Sequence, residues 1–305
     1  MTYTIGIDLG GSKIALGLVG SHDEIVARRR INTDADAGLE SVLDRIAREV
    51  AALNAELPAD ASVSALGVGA PGPVDHVSGD LLTLVNLPGI SNTPFRRALS
   101  ERLSLPVRLN HDAKVAALGE FHFGAGTDRD SMIYIVIGTG VGAAIIYEGA
   151  LLYGESNSAG ESGHMTVDPK GHLCHCGSRG CLETYTSGPA LSKHYAAASG
   201  EIISGDGIAR RALNGDEMAL RVFNDAGRAL GIAIASLAMT LNIETFVIGG
   251  SVAKAGDLLL APARESLKGY SFKAVSARVK VIASALGEDA PILGAAHMAR
   301  QLLHP

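Results

Sequence analysis

The chain has 305 residues, 47% of them apolar and 19% charged, and 26 basic against 32 acidic side chains give a formal charge of −6. That aliphatic content can bury a sizeable core and excludes a disordered, solvating chain, while the length predicts two domains or lobes. The longest cationic run is Arg28 to Arg30, far from the concentrated basic face that counterion release requires, so no nucleic-acid partner is expected.

In chain order, Tyr3 to Asp8, Lys13 to Val19 and Glu24 to Arg30 read as three strands separated by turn residues, a β-meander. Leu39, Val42, Leu43, Ile46, Val50 and Leu53 form a helical stripe that Pro58 ends. A strand (Val63 to Gly69), a helix (Thr93 to Leu103), a strand (Val107 to Leu109) and a helix (Ala113 to Phe123) follow, making the first half α/β. After the turn-rich Gly124 to Asp130 the pattern starts again, with Met132 to Ile137, a glycine turn and Ala143 to Tyr147. Helices dominate from Pro189 to Leu241; then come a strand at Thr245 to Ile248, a helix around Leu258 to Leu267, a strand at Val279 to Ala283 and a last helix from Ile292 to Leu303. Two lobes that each open on a hairpin with a glycine-rich turn imply a cleft with phosphate-facing turns on both walls.

Asp8 interrupts the first apolar stretch and no basic segment precedes it, so no signal peptide is expected and the protein is placed in the cytoplasm. The most apolar window, Met132 to Tyr147, is broken by Gly138, Thr139, Gly140 and Gly142, whose backbone would be costly in lipid, so no membrane association is expected.

The segment from Gly6 to Lys13 has the glycine spacing of a P-loop, but Ser12 and Lys13 are in the wrong order and a strand follows where a helix is required. Likewise Gly138 to Gly142 carries part of a dinucleotide fingerprint, yet a strand continues from it. What remains is a pair of strand-turn-strand glycine loops in which missing β-carbons let backbone N–H groups approach an anion, with Asp8 beside the first. Either loop alone reads as an ordinary hairpin; the pair reads as phosphate binding. The three cysteines cluster as Cys174-x-Cys176-x4-Cys181. An odd number in one glycine-rich loop favours a metal over disulfides, and tetrahedral zinc needs a fourth ligand, for which His164, His172 and His175 are at hand. Asp112 sits where a strand gives way to a helix, a position that an Asp commonly fills as a cap.

The Asp8-to-Lys13 turn, the Gly138-to-Gly142 turn, Glu161-Ser-Gly-His164, the run from Cys174 to Glu183 and Gly249-Gly250 together resemble the ROK (repressor, open reading frame, kinase) family, within the actin/hexokinase-like superfamily. The resemblance spans almost the whole chain; its most specific parts are Gly138 to His164 and the cysteine cluster, and Ser12 stands where Thr is usual. It implies a two-lobed, ribonuclease H-like α/β fold with a duplicated, hairpin-led mixed sheet: a small lobe of residues 1–115 and 291–305 and a large lobe of residues 116–290. It implies an ATP-dependent kinase acting on the primary, 6-position hydroxyl of glucose or a glucose-like acceptor, with Asp112 as general base, and a homodimer by family analogy. Asp8 would orient Mg2+; Gly10, Gly11, Ser12, Lys13, Gly138, Thr139, Gly140 and Gly142 would cradle phosphate; Gly249 and Gly250 would end a strand beside the adenosine. Gly72 and Asn86 fall in loops on the sugar side, and Glu161, His164 and Glu183 would hold the sugar ring. Among the histidines the resemblance selects His164 as the fourth ligand of a structural Zn2+ with Cys174, Cys176 and Cys181, its other ring nitrogen facing the sugar.

The chain departs from the family where Asn-Asp-Ala-Asn is usual and it has His111-Asp112-Ala113-Lys114. The family places that first Asn against the sugar 3- and 4-positions, and an imidazole is bulkier and spaces its nitrogens wider. An acceptor modified near those positions, an amino sugar such as kanosamine or a carbasugar cyclitol, therefore stands beside glucose. A sugar-sensing transcriptional regulator of the same family is a rival; the start of the phosphate turn at Asp8 leaves no room before it for a helix-turn-helix, and the net charge is negative. A pseudo-enzyme scaffold is a third, against which the retained Asp112 and both turns argue.

Overall fold

The computed structural model describes residues 2–84 and 87–303. The chain forms two compact units, one of Met1–Thr127, Tyr153–Ala159 and Glu288–Pro305, the other of Asp128–Leu152 and Gly160–Gly287.

In the first unit, β1 (Thr2–Leu9), β2 (Lys13–Val19) and β3 (Ile25–Asn32) form an antiparallel meander; β4 (Ser62–Ala70) and β7 (Val107–His111) add in parallel, giving the order β3-β2-β1-β4-β7. A short hairpin of β5 (Val74–Asp75) and β6 (Asp80–Leu81) lies between them in sequence. Alternation sends Ile5, Ile7 and Leu9 into a core shared with Val42, Leu43, Ile46, Val50 and Leu53 of α1 (Leu39–Ala55), and with Phe95 and Leu99 of α2 (Phe95–Leu103). The other face takes a helix at close range: a Cβ at Gly6 or Gly67 would collide with backbone carbonyls of the C-terminal helix (Ala290–Arg300). The same helix packs along α3 (Asp112–Phe123), where Gly119 and Gly294 let the two backbones approach. That packing keeps α3 whole in the first unit, which runs to Thr127 where the sequence placed a division after residue 115.

The second unit repeats the plan. Its β8 (Met132–Ile137), β9 (Val141–Tyr147) and β10 (Ala150–Leu151) are antiparallel neighbours, and β11 (Thr245–Gly249) and β12 (Lys280–Ala283) add in parallel, giving β10-β9-β8-β11-β12. Four helices, α4 (Glu183–Thr186), α5 (Gly188–Ser199), α6 (Gly205–Leu213) and α7 (Glu217–Leu241), occupy the stretch between β10 and β11, and α8 (Asp257–Tyr270) and α9 (Lys273–Ser276) precede β12. The Asp216 carboxylate caps α7 by accepting from the N–H groups of Met218 and Ala219, and Asn242 ends it in a left-handed conformation. The core joins Ile133, Ile135 and Ile137 to Leu191, Phe223, Leu230, Ile234 and Leu259. Among the described residues no helix is long and apolar enough to cross a membrane.

Candidate active site

The parallel strands of the first unit bring its chemistry to their C-terminal ends, the edge at which open α/β sheets generally bind ligands. Register pairs Asp8 with Gly69, and Ala70 with His111. Asp112 then opens α3, its Oδ1 accepting from the Ala113 N–H at 2.6 Å and lying 3.2 Å from His111 Nδ1. The His111 backbone N–H donates to Asn110 Oδ1 at 2.8 Å, and a Cβ on Gly72 would stand 2.6 Å from His111 Nε2, so the imidazole lies tightly against the Pro-Gly-Pro loop. Asn86 lies outside the described residues.

Burial pushes the Asp112 carboxyl up to about 6, against the opposing pull of the Ala113 N–H and the Lys114 charge. Its side chain is nevertheless 42% exposed and open to a partner. Asp8 is pushed up to about 7, first by burial and then by the negative charge of Asp112, with Arg30 opposing. The charge of Asp112 thus adds to the cost of ionising Asp8, and a cation beside Asp8 would relieve it. Oxygen-only donors of this kind suit Mg2+. Immediately after Asp8, Gly10 N–H donates to Lys13 carbonyl at 2.9 Å, and Thr33 ties the turn to β3, its Oγ1 donating to Gly10 carbonyl at 2.7 Å and its N–H to Ser12 carbonyl at 2.9 Å. The turn proper is Gly10-Gly11-Ser12, exposed at Gly11 and Ser12, and Lys13 already belongs to β2.

In the second unit the corresponding turn is Gly138-Thr139-Gly140; Gly142 lies within β9, opposite Val136. Gly138 carbonyl accepts from the Gly188 N–H at 2.8 Å. Gly250 adopts φ 89°, and a Cβ there would strike the Ile137 carbonyl, so the end of β11 packs on the start of this turn. Glu183 underpins it from the other side: Oε2 accepts from the Val141 N–H at 2.8 Å, at the same distance from where a Gly140 Cβ would sit, and Oε1 is 3.2 Å from His175 Nδ1.

The cysteine loop presents a four-donor set, His164, Cys174, Cys176 and Cys181, whose ligand atoms all lie within 4.8 Å of one another. Cys174 Sγ is 3.7 Å from His164 Nδ1 and Cys176 Sγ is 3.6 Å from Cys181 Sγ. A tetrahedron with Zn–S bonds of about 2.3 Å has S···S edges of about 3.8 Å, so the donors fit zinc. All three cysteines are free thiols. Of the other histidines, His172 instead packs by Tyr185 and His194, and His175 Nδ1 stands 3.9 Å from Cys174 Sγ on an exposed side chain. Glu161 is exposed and precedes the short 3-10 turn Ser162–His164, whose His164 N–H donates to its carbonyl at 3.1 Å.

The first unit thus gathers Asp8, Gly72, His111, Asp112 and the first glycine turn; the second gathers the second turn, Gly249, Gly250, Glu161, His164, Glu183 and the cysteines. Sequence reasoning missed Thr33 and Gly188 as supports of the two turns, since each lies far along the chain from the turn it holds and carries no local signal. It also missed Asn157, a buried residue with φ 61° whose only mark is a left-handed conformation that Asn tolerates.

The ROK family model matches residues 4–302. A glucokinase of Thermotoga maritima is 33% identical over 97% of this chain and 97% of its own length. An N-acetylmannosamine kinase of Shigella boydii is 33% identical over 97% of this chain and 98% of its own. Among solved structures, a ROK family glucokinase from Streptomyces griseus in complex with glucose and AMPPNP is 35% identical, superposes with a TM-score of 0.84, and is covered to 99% by 98% of this chain.

Proposed function

The chain belongs to the ROK family, and from that premise we infer that it is an ATP-dependent hexose kinase that transfers the γ-phosphoryl group to the 6-position hydroxyl of glucose or a glucose-like acceptor. The observation that carries the mechanism is Asp112: a solvent-reachable carboxylate at the head of α3, poised by burial near pH 6, suited to accept an alcohol proton at neutral pH. Phosphoryl transfer otherwise asks for positioning and charge neutralisation.

Asp8 would hold Mg2+. When bound, that ion neutralises phosphate charge, which two neighbouring carboxylates would otherwise repel. Of the two turns, backbone N–H groups of Gly11 and Ser12 and of Thr139 and Gly140 would bind phosphate oxygens, since those of Gly10 and Gly138 are engaged within the turns and Lys13 and Gly142 lie in strands; Gly249 and Gly250 would border the adenosine. Glu161, His164 and Glu183 bind acceptor hydroxyls, along with His111 beside Gly72. His164, Cys174, Cys176 and Cys181 would hold a structural Zn2+ that fixes the tautomer of the His164 ring. The presence of an N-acetylmannosamine kinase among the relatives, together with His111, supports a modified hexose as the alternative acceptor. The test is a coupled ADP-release screen over hexoses, amino hexoses and cyclitols, with the phosphate position assigned by NMR. The reading expects acceptor-dependent ADP release and a 6-phosphate; no acceptor-dependent release from the folded protein would refute it.

A further inference from the structure

Between Cys174 and Cys176 the chain places His175. The four donors His164, Cys174, Cys176 and Cys181 complete a tetrahedron without it, and its side chain is 70% exposed, so neither the metal nor the core accounts for it. Its Nδ1 nevertheless faces two acceptors, Glu183 Oε1 at 3.2 Å and Cys174 Sγ at 3.9 Å. The carboxylate oxygen is the nearer and the stronger acceptor, so it takes the hydrogen. That bond needs only the Nδ1–H tautomer of a neutral imidazole. The ring meets His164 edge-on, 5.3 Å between centres and 78° between planes, which limits how far it can swing.

Glu183, whose side chain is only 14% exposed, passes this contact on. It opens α4 and turns its second oxygen, Oε2, to the Val141 N–H at the start of β9, 2.8 Å away. A carboxylate held by one oxygen can still rotate about its terminal bond; held by both, its plane is fixed. Five residues later the Gly188 N–H holds the Gly138 carbonyl at 2.8 Å. Residues 183–188 therefore grip the turn Gly138-Thr139-Gly140 at both ends. We propose that His175 is a positioning residue for this turn: its Nδ1–H fixes Glu183 Oε1, which keeps Oε2 on the Val141 N–H and so links the cysteine loop to the N–H groups of Thr139 and Gly140. The proposal rests on the reading of the second turn as a phosphate binder. An exposed pair that merely decorated the surface would contribute little and leave the turn as it is. His164, His175 and Glu183 also lie within 4.8 Å of one another, so a metal-ligating His175 is the competing outcome.

The experiment uses the full, zinc-loaded chain and three measurements that need no turnover: the amide 1H shift of Val141, the affinity for AMPPNP with Mg2+ by calorimetry, and zinc per chain. In His175→Ala the Val141 amide is expected to move upfield as its bond to the carboxylate loosens, and AMPPNP to bind about threefold more weakly, the scale of an exposed charged pair. Zinc content and melting temperature are expected to stay at the wild-type values. His175→Asn, whose Nδ2 stands where the imidazole carries Nδ1, is expected to restore both the shift and the affinity. An unmoved Val141 amide in His175→Ala, an equal displacement in both variants, or loss of zinc from His175→Ala overturns the proposal. A displaced amide with unaltered AMPPNP affinity would uphold the link from His175 to the turn and refute the phosphate reading alone.

Discussion

At the scale of single residues, the account turns on carboxylates whose proton affinity the fold raises. Asp112 moves from an ordinary 3.8 up to about 6, so its ionised fraction falls as pH drops through about 6. The free-enzyme kcat/KM is therefore expected to decline below that pH. A stopped assay from pH 5 to 9 checks this; a rate that stays flat down to pH 5 would contradict it. The same displacement has a stability sign. The folded chain binds that proton more tightly than the unfolded one, so stability is lost as pH rises from about 4 to about 6, and the ionised carboxyl remains a cost above that. Asp112→Asn should accordingly melt no lower than wild type at pH 8. His111→Asn, assayed across a hexose panel, is expected to change relative acceptor rates; unchanged ratios would remove His111 from specificity. The three cysteines of the four-donor cluster were legible because they fall within eight residues of sequence, whereas His164 was singled out only by the family resemblance. The hydrogen bond from Lys114 Nζ to the Asn157 carbonyl was not legible, because its partners are 43 positions apart and a lysine in a helix gives no sign that it will be buried.

At the scale of elements, the glycines are where sequence and packing meet. A methyl on Gly67 would collide with the Ala295 carbonyl of the C-terminal helix, so Gly67→Ala is expected to destabilise the chain by about 2–3 kcal/mol, the scale of overpacking a rigid contact; denaturant melts measure it. Gly140→Ala would place its Cβ 2.8 Å from Glu183 Oε2 and disturb the bond to the Val141 N–H. That should raise the KM for ATP about tenfold, the worth of one lost hydrogen bond of about 1.4 kcal/mol, with the global melt little altered. Cys176→Ser or chelation should release one zinc per chain and lower the melting temperature, read by metal analysis alongside calorimetry. The long strands and α1 were readable from periodicity, and both hairpin-led starts from their glycine turns. The strands β5, β6 and β10, two residues each, are too short to show alternation. The allegiance of residues 153–159 to the first unit is decided by tertiary hydrogen bonds that no local pattern encodes.

At the scale of the whole molecule, the chain uses one plan twice. Each unit has an antiparallel group of three strands extended by two parallel ones, in the same order, with a glycine turn after the first strand. The repeat was visible in the sequence as a restart after Asp130, because an apolar run, glycines and a second apolar run recur there; the exact extent of each unit was not, since helix packing sets it. Duplication leaves each unit with a glycine turn after its first strand while the other residues diverge, with Asp112 at the head of α3 in the first and the His/Cys cluster in the second. We expect the chain to be a homodimer in solution, which light scattering would show as twice the chain mass. The central claim, that Asp112 takes the acceptor proton during phosphoryl transfer, is tested most directly by the steady-state turnover of Asp112→Asn at saturating ATP and acceptor. The account predicts a fall in kcat of about 10²–10⁴ in a variant that melts like the wild type, whereas turnover within a few-fold of wild type would contradict it.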